Sequence, residues 1–447
     1  MRILTKCVVL IGVLMVSQAL ATRISVSGFI TTNTTWSADT VALTGNVGVN
    51  RGVLTIMPGT VVMPSAPRVL YVLSDSAAGA IHAVGTPDHM IKFNSLSKIT
   101  FSALIYDSLT IFQYCNLTGM TPGFEFRNPD NNPNEASCPL IDHCIVSGSG
   151  YTNIYVTSGA SPTISNCYLY NATEGIFVHG CGNKMKVLNC AISRMGNGII
   201  NGSAPPWDTN PGHNLTVDHV TIYNCDGVRK QSGVGASNGN GITCVNAPGI
   251  LTVTNCILDS IANYGIMDNN YTDPNFPGQT WTVNQDYNCF YRCTVGATRD
   301  FSPGSHSVQA NPQMLNPVQQ DFTYPSSSPC WGKGTNGSNI GFQPTGWSAI
   351  DDLFRKDMQG RGLPPVKISA NPFVGTTSFL VGQLGLVNIK IFNQAGCPVW
   401  SYQATWPQHE IVWNGQDANG QKAPAGIYCV VLESGKQTSQ QKIVKLQ

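Results

Sequence analysis

Hydrophobic residues along this chain fall in short alternating runs, mostly β-branched or aromatic, each ended by Gly, Asn or Pro. No stretch carries the i, i+3, i+4 spacing of an amphipathic helix, so the pattern predicts strands. One phrase recurs from residue 110 onward. It reads Ile111-Phe112-Gln113-Tyr114-Cys115 and Ile141-Asp142-His143-Cys144, then Ile164-Ser165-Asn166-Cys167 and Val187-Leu188-Asn189-Cys190. It continues as Ile222-Tyr223-Asn224-Cys225, Val253-Thr254-Asn255-Cys256 and Asp286-Tyr287-Asn288-Cys289. The cysteines of successive phrases stand 23 to 35 residues apart, a period that signals a solenoid. A second phrase follows several of them, as Gly175-Ile176, Gly198-Ile199, Gly241-Ile242 and Gly265-Ile266.

Alternation in Thr163-Ile164-Ser165-Asn166-Cys167-Tyr168-Leu169 places Ile164, Cys167 and Leu169 inward, with Asn166 at a left-handed bend between two strands. Equivalent residues of successive coils should stack ~4.8 Å apart. The seven phrases, five of them Asn-Cys, are then expected to sit over one another, the asparagines as a ladder above a column of free, buried thiols. Parallel Cβ vectors in such a column disfavour vertical disulfides. A metal or redox role is disfavoured because no CxxC cluster occurs.

The first residues change the picture of compartment. Arg2 and Lys6, the apolar run Cys7 to Val16 and the small-residue site Ala19-Leu20-Ala21 predict a signal peptide over residues 1–21, so the mature chain is expected outside the cell or attached to its surface. No later stretch is apolar enough to span a bilayer. Only 11% of residues are charged and the net charge is +1, so polar surface must come from Asn, Ser, Thr and Gly. This balance offers no attraction to nucleic acid. A monomer is expected. The solenoid is assigned to residues 22–347. A charged, Pro-containing linker follows over 348–366, and then short strands with turn signals predict a small Ig-like β-sandwich over 367–447. Cys397 and Cys429 could pair there.

The repeat resembles the right-handed parallel β-helix superfamily to which pectate lyases belong. Thr35-Trp36-Ser37-Ala38-Asp39-Thr40 and Leu54 to Val62 resemble its opening coils. Asn311-Pro312-Gln313-Met314, Ser328-Pro329-Cys330 and Asn339-Ile340-Gly341-Phe342 resemble its closing coil, so the likeness covers roughly residues 23–345. The C-terminal phrases Asn371-Pro372-Phe373, Trp413-Asn414-Gly415-Gln416-Asp417, Ala425-Gly426-Ile427-Tyr428 and Lys442 to Gln447 resemble the sorting domain of the type IX secretion system. That resemblance implies the secretion machinery as a partner; a generic Ig-like module is the alternative.

The superfamily implies chemistry on polysaccharides, with Ca²⁺ as a cofactor if the chain is a lyase. The Asn-Thr-Asp, Gly-His-Gly and Arg-Ile-Lys phrases of polygalacturonases are missing, as is the Arg-x-Pro-x-x-Arg phrase of pectate lyases. Asp226, Arg229 and Lys230 lie close enough in sequence for a base and a carboxylate to meet, although a solvated turn is the simpler account of them. His143, His179, His213 and His219 share no metal spacing and read as hydrogen-bonded or solvated side chains. Two long insertions, at 203–213 and 269–278, are expected on one edge about 10 Å apart. Trp207, Asp208, Asp268, Tyr271, Asp273 and Phe276 there would suit a sugar chain, or pin their own loops. Three functions follow: a polysaccharide-binding surface protein, a lyase or hydrolase with an unfamiliar site, and a ligand-free spacer or adhesin.

Overall fold

A computed structural model describes residues 22–72, 79–101, 109–127, 139–181, 184–202, 213–227, 239–245, 249–269, 281–346, 367–368, 371–380, 386–394, 397–405, 410–434 and 437–446. The expected signal peptide and linker lie outside these residues. The chain forms two compact units, one running to Ala310 and taking in Gly332–Gly341, the other comprising Asn311–Trp331 and Phe342 onward.

The first unit is a parallel solenoid. Among the described residues its strands form a ten-stranded sheet and an eighteen-stranded sheet, every pairing parallel. Each complete coil gives one strand to the smaller sheet and two segments to the larger, joined into one long strand in Thr40–Val49, Tyr168–Cys181 and Ala191–Gly202, so the larger sheet holds two tracks. Two of the corners of the coil are written in left-handed residues. Tyr114, His143, Asn166, Asn189, His219, Asn255 and Tyr287 form the first column, with φ of 46–57°. Ser95, Gly119, Gly148, Asn171, Arg194, Asn224, Ser260 and Arg292 form the second, with φ of 48–68°. Non-glycine residues tolerate this region only where tertiary packing over-determines it.

The predicted inward set holds: Ile164, Cys167 and Leu169 are fully buried. Cys115, Cys144, Cys167, Cys190, Cys225, Cys256 and Cys289 are all free and buried. Their register, however, differs from expectation. Leu188 pairs with Asp218 and Asp218 with Thr254, so Val220 occupies the position between Cys190 and Cys256. Cys225 belongs to the second bend, where it stacks on Met195 and under Ile261. Thr254 pairs with Asp286, so Asn288 rather than Cys289 follows Cys256 in the first column.

The reason for cysteine is visible in the column. Each thiol is small, and it both donates and accepts. Cys144 N donates to Cys167 Sγ and Cys167 N to Cys190 Sγ, both at 3.4 Å. Cys167 Sγ in turn donates to Ser165 O at 3.0 Å. Asn288 does the same work with an amide, accepting from Cys256 N and donating to Val253 O, both at 2.9 Å. Burial raises the thiol pKa values of Cys144, Cys167 and Cys190, which makes them poor nucleophiles.

The asparagine ladder is shorter than predicted. Asn189 Nδ2 donates to Asn166 Oδ1 at 2.7 Å, and Asn166 Nδ2 to Asp142 Oδ1 at 2.7 Å. Asp142 also accepts from Gln113 Nε2, Ser165 Oγ and the His143 ring at 2.6–2.8 Å. Burial opposes ionisation of Asp142, but these donors outweigh it and hold its carboxyl well below the usual range.

A glycine column explains the second phrase. A Cβ on Gly175 would lie 2.6 Å from Gly198 O and 2.7 Å from Ile192 Cγ2. On Gly241 it would lie 2.5 Å from Gly265 O and 2.7 Å from Leu258 Cδ2. Neighbouring coils approach too closely at this corner for any side chain.

The second unit contains a three-stranded and a four-stranded antiparallel sheet among the described residues. Phe373, Trp413 and Tyr428, one from each of three C-terminal phrases, meet in its core. Phe373 and Trp413 stand 5.5 Å apart between ring centroids, Trp413 and Tyr428 5.4 Å. Asn371 clamps the last strand, donating to Lys442 O and accepting from Val444 N, both at 2.9 Å. Cys397 is exposed, Cys429 half-buried, and both are free.

Candidate ligand-binding face

The second track of the larger sheet carries the densest outward chemistry among the described residues. Parallel register stacks Thr100, Glu125, Tyr155, Phe177, Ile200, Thr243, Met267 and Arg299 in one outward row. Two residues further along the same strands, Thr157 and His179 are stacked in parallel. Strand alternation turns these side chains away from the core that Ile154, Val156, Ile176 and Val178 fill.

Glu125 anchors one end. Its Oε2 lies 2.6 Å from Lys98 Nζ and its Oε1 2.6 Å from Arg127 Nη2, with the carboxylate side chain only 4% exposed. Burial opposes its ionisation, yet the two cations hold its pKa below the ordinary value. Beside it the rings gather. Tyr155 and Phe177 stand 5.5 Å apart, Tyr151 and Phe177 6.1 Å edge to face, Tyr151 and Tyr155 6.5 Å, and Phe177 and His179 6.1 Å. Burial raises the phenol pKa values of Tyr151 and Tyr155, so both remain neutral hydrogen-bond donors.

Glu174 lies at the corner that enters this track. Its register partner on the next coil is Asn197. Asn197 Oδ1 accepts from Asn240 N at 3.1 Å, and Asn240 Oδ1 from Tyr264 N at 3.2 Å. Glu174 thus occupies an asparagine position, and its Oε2 is buried without a hydrogen-bond partner. Burial pushes its pKa up to about 7. Its charge, when present, raises the pKa values of Tyr151 and Tyr155 further.

The face therefore combines flat rings with the Arg127 guanidinium and the Lys98 ammonium, while the carboxyls of Glu125 and Glu174 are buried. Rings can stack on the apolar faces of sugar rings while the charged groups bond hydroxyls or carboxylates. Two carboxyls whose environments push their pKa values apart also meet one requirement of acid–base hydrolysis.

The residues singled out from sequence fare differently. Asp268 is buried, and its register partner is Cys244. Burial raises its pKa, with Asp300 adding to the shift and Arg299 opposing it. Asp226 is half-buried beside the second bend, its backbone N donating to Met195 O at 2.9 Å. Arg229, Lys230, Trp207, Asp208, Tyr271, Asp273 and Phe276 lie outside the described residues. Among the described residues no group of three His, Cys, Asp or Glu side chains could hold a metal ion. No described helix is long and apolar enough to cross a membrane.

Sequence reasoning missed Glu125, Tyr155, Phe177 and Glu174. For Glu174 a signal existed: Thr173-Glu174-Gly175-Ile176 carries Glu where Gly196-Asn197-Gly198-Ile199 and Gly239-Asn240-Gly241-Ile242 carry Asn. An acid in a buried amide ladder is a local conflict, and such conflicts mark functional or strained positions.

The model of the right handed beta helix region matches residues 100–280, in keeping with the right-handed parallel β-helix that the stacked sheets form. No curated protein matches the chain. Among solved structures, PorZ of Porphyromonas gingivalis, an essential bacterial surface component of the type-IX secretion system, is 22% identical over 18% of this chain with a TM-score of 0.16. The match spans 11% of the PorZ chain. Pectate lyase Pel9A is 12% identical, covering 64% of this chain and 86% of its own, with a TM-score of 0.33. Similarity this distant says nothing about activity.

Proposed function

We propose that the protein is an exported surface protein whose β-helix binds extracellular polysaccharide along the outer face built on Glu125, Arg127, Tyr151, Tyr155 and Phe177. The supporting observation is the packing of three rings within 6.5 Å of one another beside a carboxylate held by two cations. Phe177 is buried, Tyr151 and Tyr155 are half-buried and Arg127 is exposed, and sugar recognition uses this combination of stacking and charge.

Glycan affinity electrophoresis with acidic and neutral polysaccharides tests this. Tyr155→Ala and Arg127→Ala should each weaken retention by about tenfold, the scale of one aromatic or charged contact of ~1.4 kcal/mol. Unchanged retention in both variants would refute the proposed face. Release of unsaturated products or new reducing ends would instead establish the lyase or hydrolase reading.

The C-terminal unit serves in this proposal as the sorting signal for type IX secretion. Its support is that Phe373, Trp413 and Tyr428, drawn from separate phrases, converge in one core. In a host with that system, a chain ending before Lys367 should stay in the periplasm while the full chain reaches the surface. Surface display of the shortened chain would exclude the sorting role.

A further inference from the structure

The first bend column contains a hydrogen-bonded relay that the glycan-binding face does not use. Asp218 Oδ2 lies 2.9 Å from His219 Nδ1, and His219 Nε2 lies 3.1 Å from Ser338 Oγ. An ionised carboxylate only accepts, so the proton of a neutral His219 sits on Nδ1 and Nε2 presents its lone pair. The Ser338 hydroxyl must then donate to Nε2. Asp218 is itself fixed, its Oδ1 accepting from Thr254 Oγ1 and Asn255 Nδ2, both at 2.8 Å.

Ser338 reaches this position from 119 residues away in sequence. Its turn is docked on the same column: Asn255 Nδ2 donates to Thr335 Oγ1 at 2.6 Å, Thr335 N donates to Asn255 Oδ1 at 2.8 Å, and Gly341 N donates to Asn255 O at 2.7 Å. Gly334 completes the cradle. A Cβ there would collide with Ser338 Oγ, and it would lie 2.8 Å from Asn255 Oδ1. The side chains of His219 and Asp218 remain 25% and 31% exposed, and no atom would come within 4 Å of a Cβ on Gly337. Ser338 itself is half-buried, beside this open space.

We propose that Ser338, His219 and Asp218 form a nucleophilic site that hydrolyses esters of short acyl groups carried on exposed alcohols. Order and geometry match the roles such a relay requires: nucleophile to base, base to orienting carboxylate. Ser338 Oγ attacks the acyl carbon while its proton passes to His219 Nε2. The alcohol leaves with that proton, and the acyl group remains on Ser338. Water, activated by the same nitrogen, then releases the carboxylic acid and restores the hydroxyl. The net reaction is ester plus water to acid plus alcohol. The open space beside Gly337, on the residue preceding Ser338, suits a small acyl group on a large carrier. Asp218 is a positioning residue, holding the ring in the productive tautomer.

The fold supplies its own controls. Asp142 and His143 form the same pair at 2.7 Å, with the His143 ring lying against Tyr114 at 4.8 Å. The ring of His306 pairs with Asp286 at 2.7 Å and stacks on Tyr287. A histidine paired with Asp is thus common to several coils; at His219 a serine meets the ring nitrogen opposite the carboxylate, whereas Ser305 Oγ lies 3.3 Å from His306 Nδ1, the nitrogen that faces Asp286.

The full chain should be treated with a fluorophosphonate, the adduct located by peptide mass spectrometry, and hydrolysis of 4-nitrophenyl acetate followed. One adduct on Ser338 is expected. Ser338→Ala should abolish both labelling and turnover while leaving the circular dichroism spectrum unchanged. His306→Ala should leave both intact. Asp218→Asn should lower turnover by orders of magnitude, about 10⁴-fold where a triad loses its orienting carboxylate, and should change the pH profile. A folded protein that neither labels at Ser338 nor hydrolyses the ester faster than Ser338→Ala does would overturn the assignment.

Discussion

Glu174→Gln is expected to stabilise the solenoid at pH 8 and to leave it nearly unchanged at pH 4. Burial pushes the folded-state pKa of Glu174 up to about 7. An unfolded Glu titrates near 4.3. Between these values the folded protein binds the proton more tightly than the unfolded chain does. The contribution of Glu174 to stability is therefore fully present below about pH 4 and is lost as pH rises through about 7. A difference of this size corresponds to about 4 kcal/mol at pH 8, an order-of-magnitude figure. Gln keeps the shape of the side chain and cannot ionise, so it should not suffer the loss. Urea unfolding of both proteins at pH 4 and pH 8 checks this. Parallel pH dependences would show that the carboxyl is solvated.

Gly265→Ala should have an effect of similar size and opposite sign at every pH. The added methyl would stand 2.6 Å from Ala297 O and 2.8 Å from Phe290 Cδ1. A backbone carbonyl cannot move aside without breaking the stack of coils, so the strain is distributed over neighbouring rungs. Overpacking of this kind costs about 1–3 kcal/mol. The reduced freedom of the unfolded chain returns about 0.4–1 kcal/mol and does not reverse the sign. Gly150→Ala is the matched comparison, since its methyl would meet only the Thr121 side chain, at 3.1 Å and beyond. It should cost much less. Equal thermal midpoints for the two variants would mean that the glycine column is not sterically required.

The glycine column and the buried acid share a cause. In a solenoid every residue is packed against its equivalents on the coils before and after, so a departure from the repeat is felt by both neighbours. Asn197 and Asn240 satisfy the backbone N–H of the following coil, and Glu174 stands in the same ladder with one carboxyl oxygen unpartnered. Retaining an acid at such a position, beside three aromatic rings on the outer face, supports the binding proposal.

Much of this architecture was legible in the residues. Alternation showed which side chains enter the shaft, as at Ile164, Cys167 and Leu169, because strand geometry leaves only two faces. Asn at the bends marked left-handed positions, because few other side chains accept that backbone. Free buried thiols followed from stacking with parallel side-chain vectors. Register did not follow. Asn224-Cys225 looks like Asn189-Cys190, yet the two occupy different bends. Both bends need a left-handed residue followed by an inward one, so an Asn-Cys phrase fits either corner. Only the ladder of hydrogen bonds between coils tells them apart.

The chemistry on the surface needed the stack as well. Glu125, Tyr155 and Phe177 belong to three successive coils and become neighbours only through parallel register. Ser338 meets His219 only because the Gly332–Gly341 segment docks on Asn255. By itself the sequence determined the repeat, the strand faces and the bends, since these depend on backbone conformation and on what each side chain can bury. The tertiary structure decided which coil lies over which, and so which charges, rings and nucleophiles meet, since proximity between distant residues is a property of the assembled stack and of no local phrase.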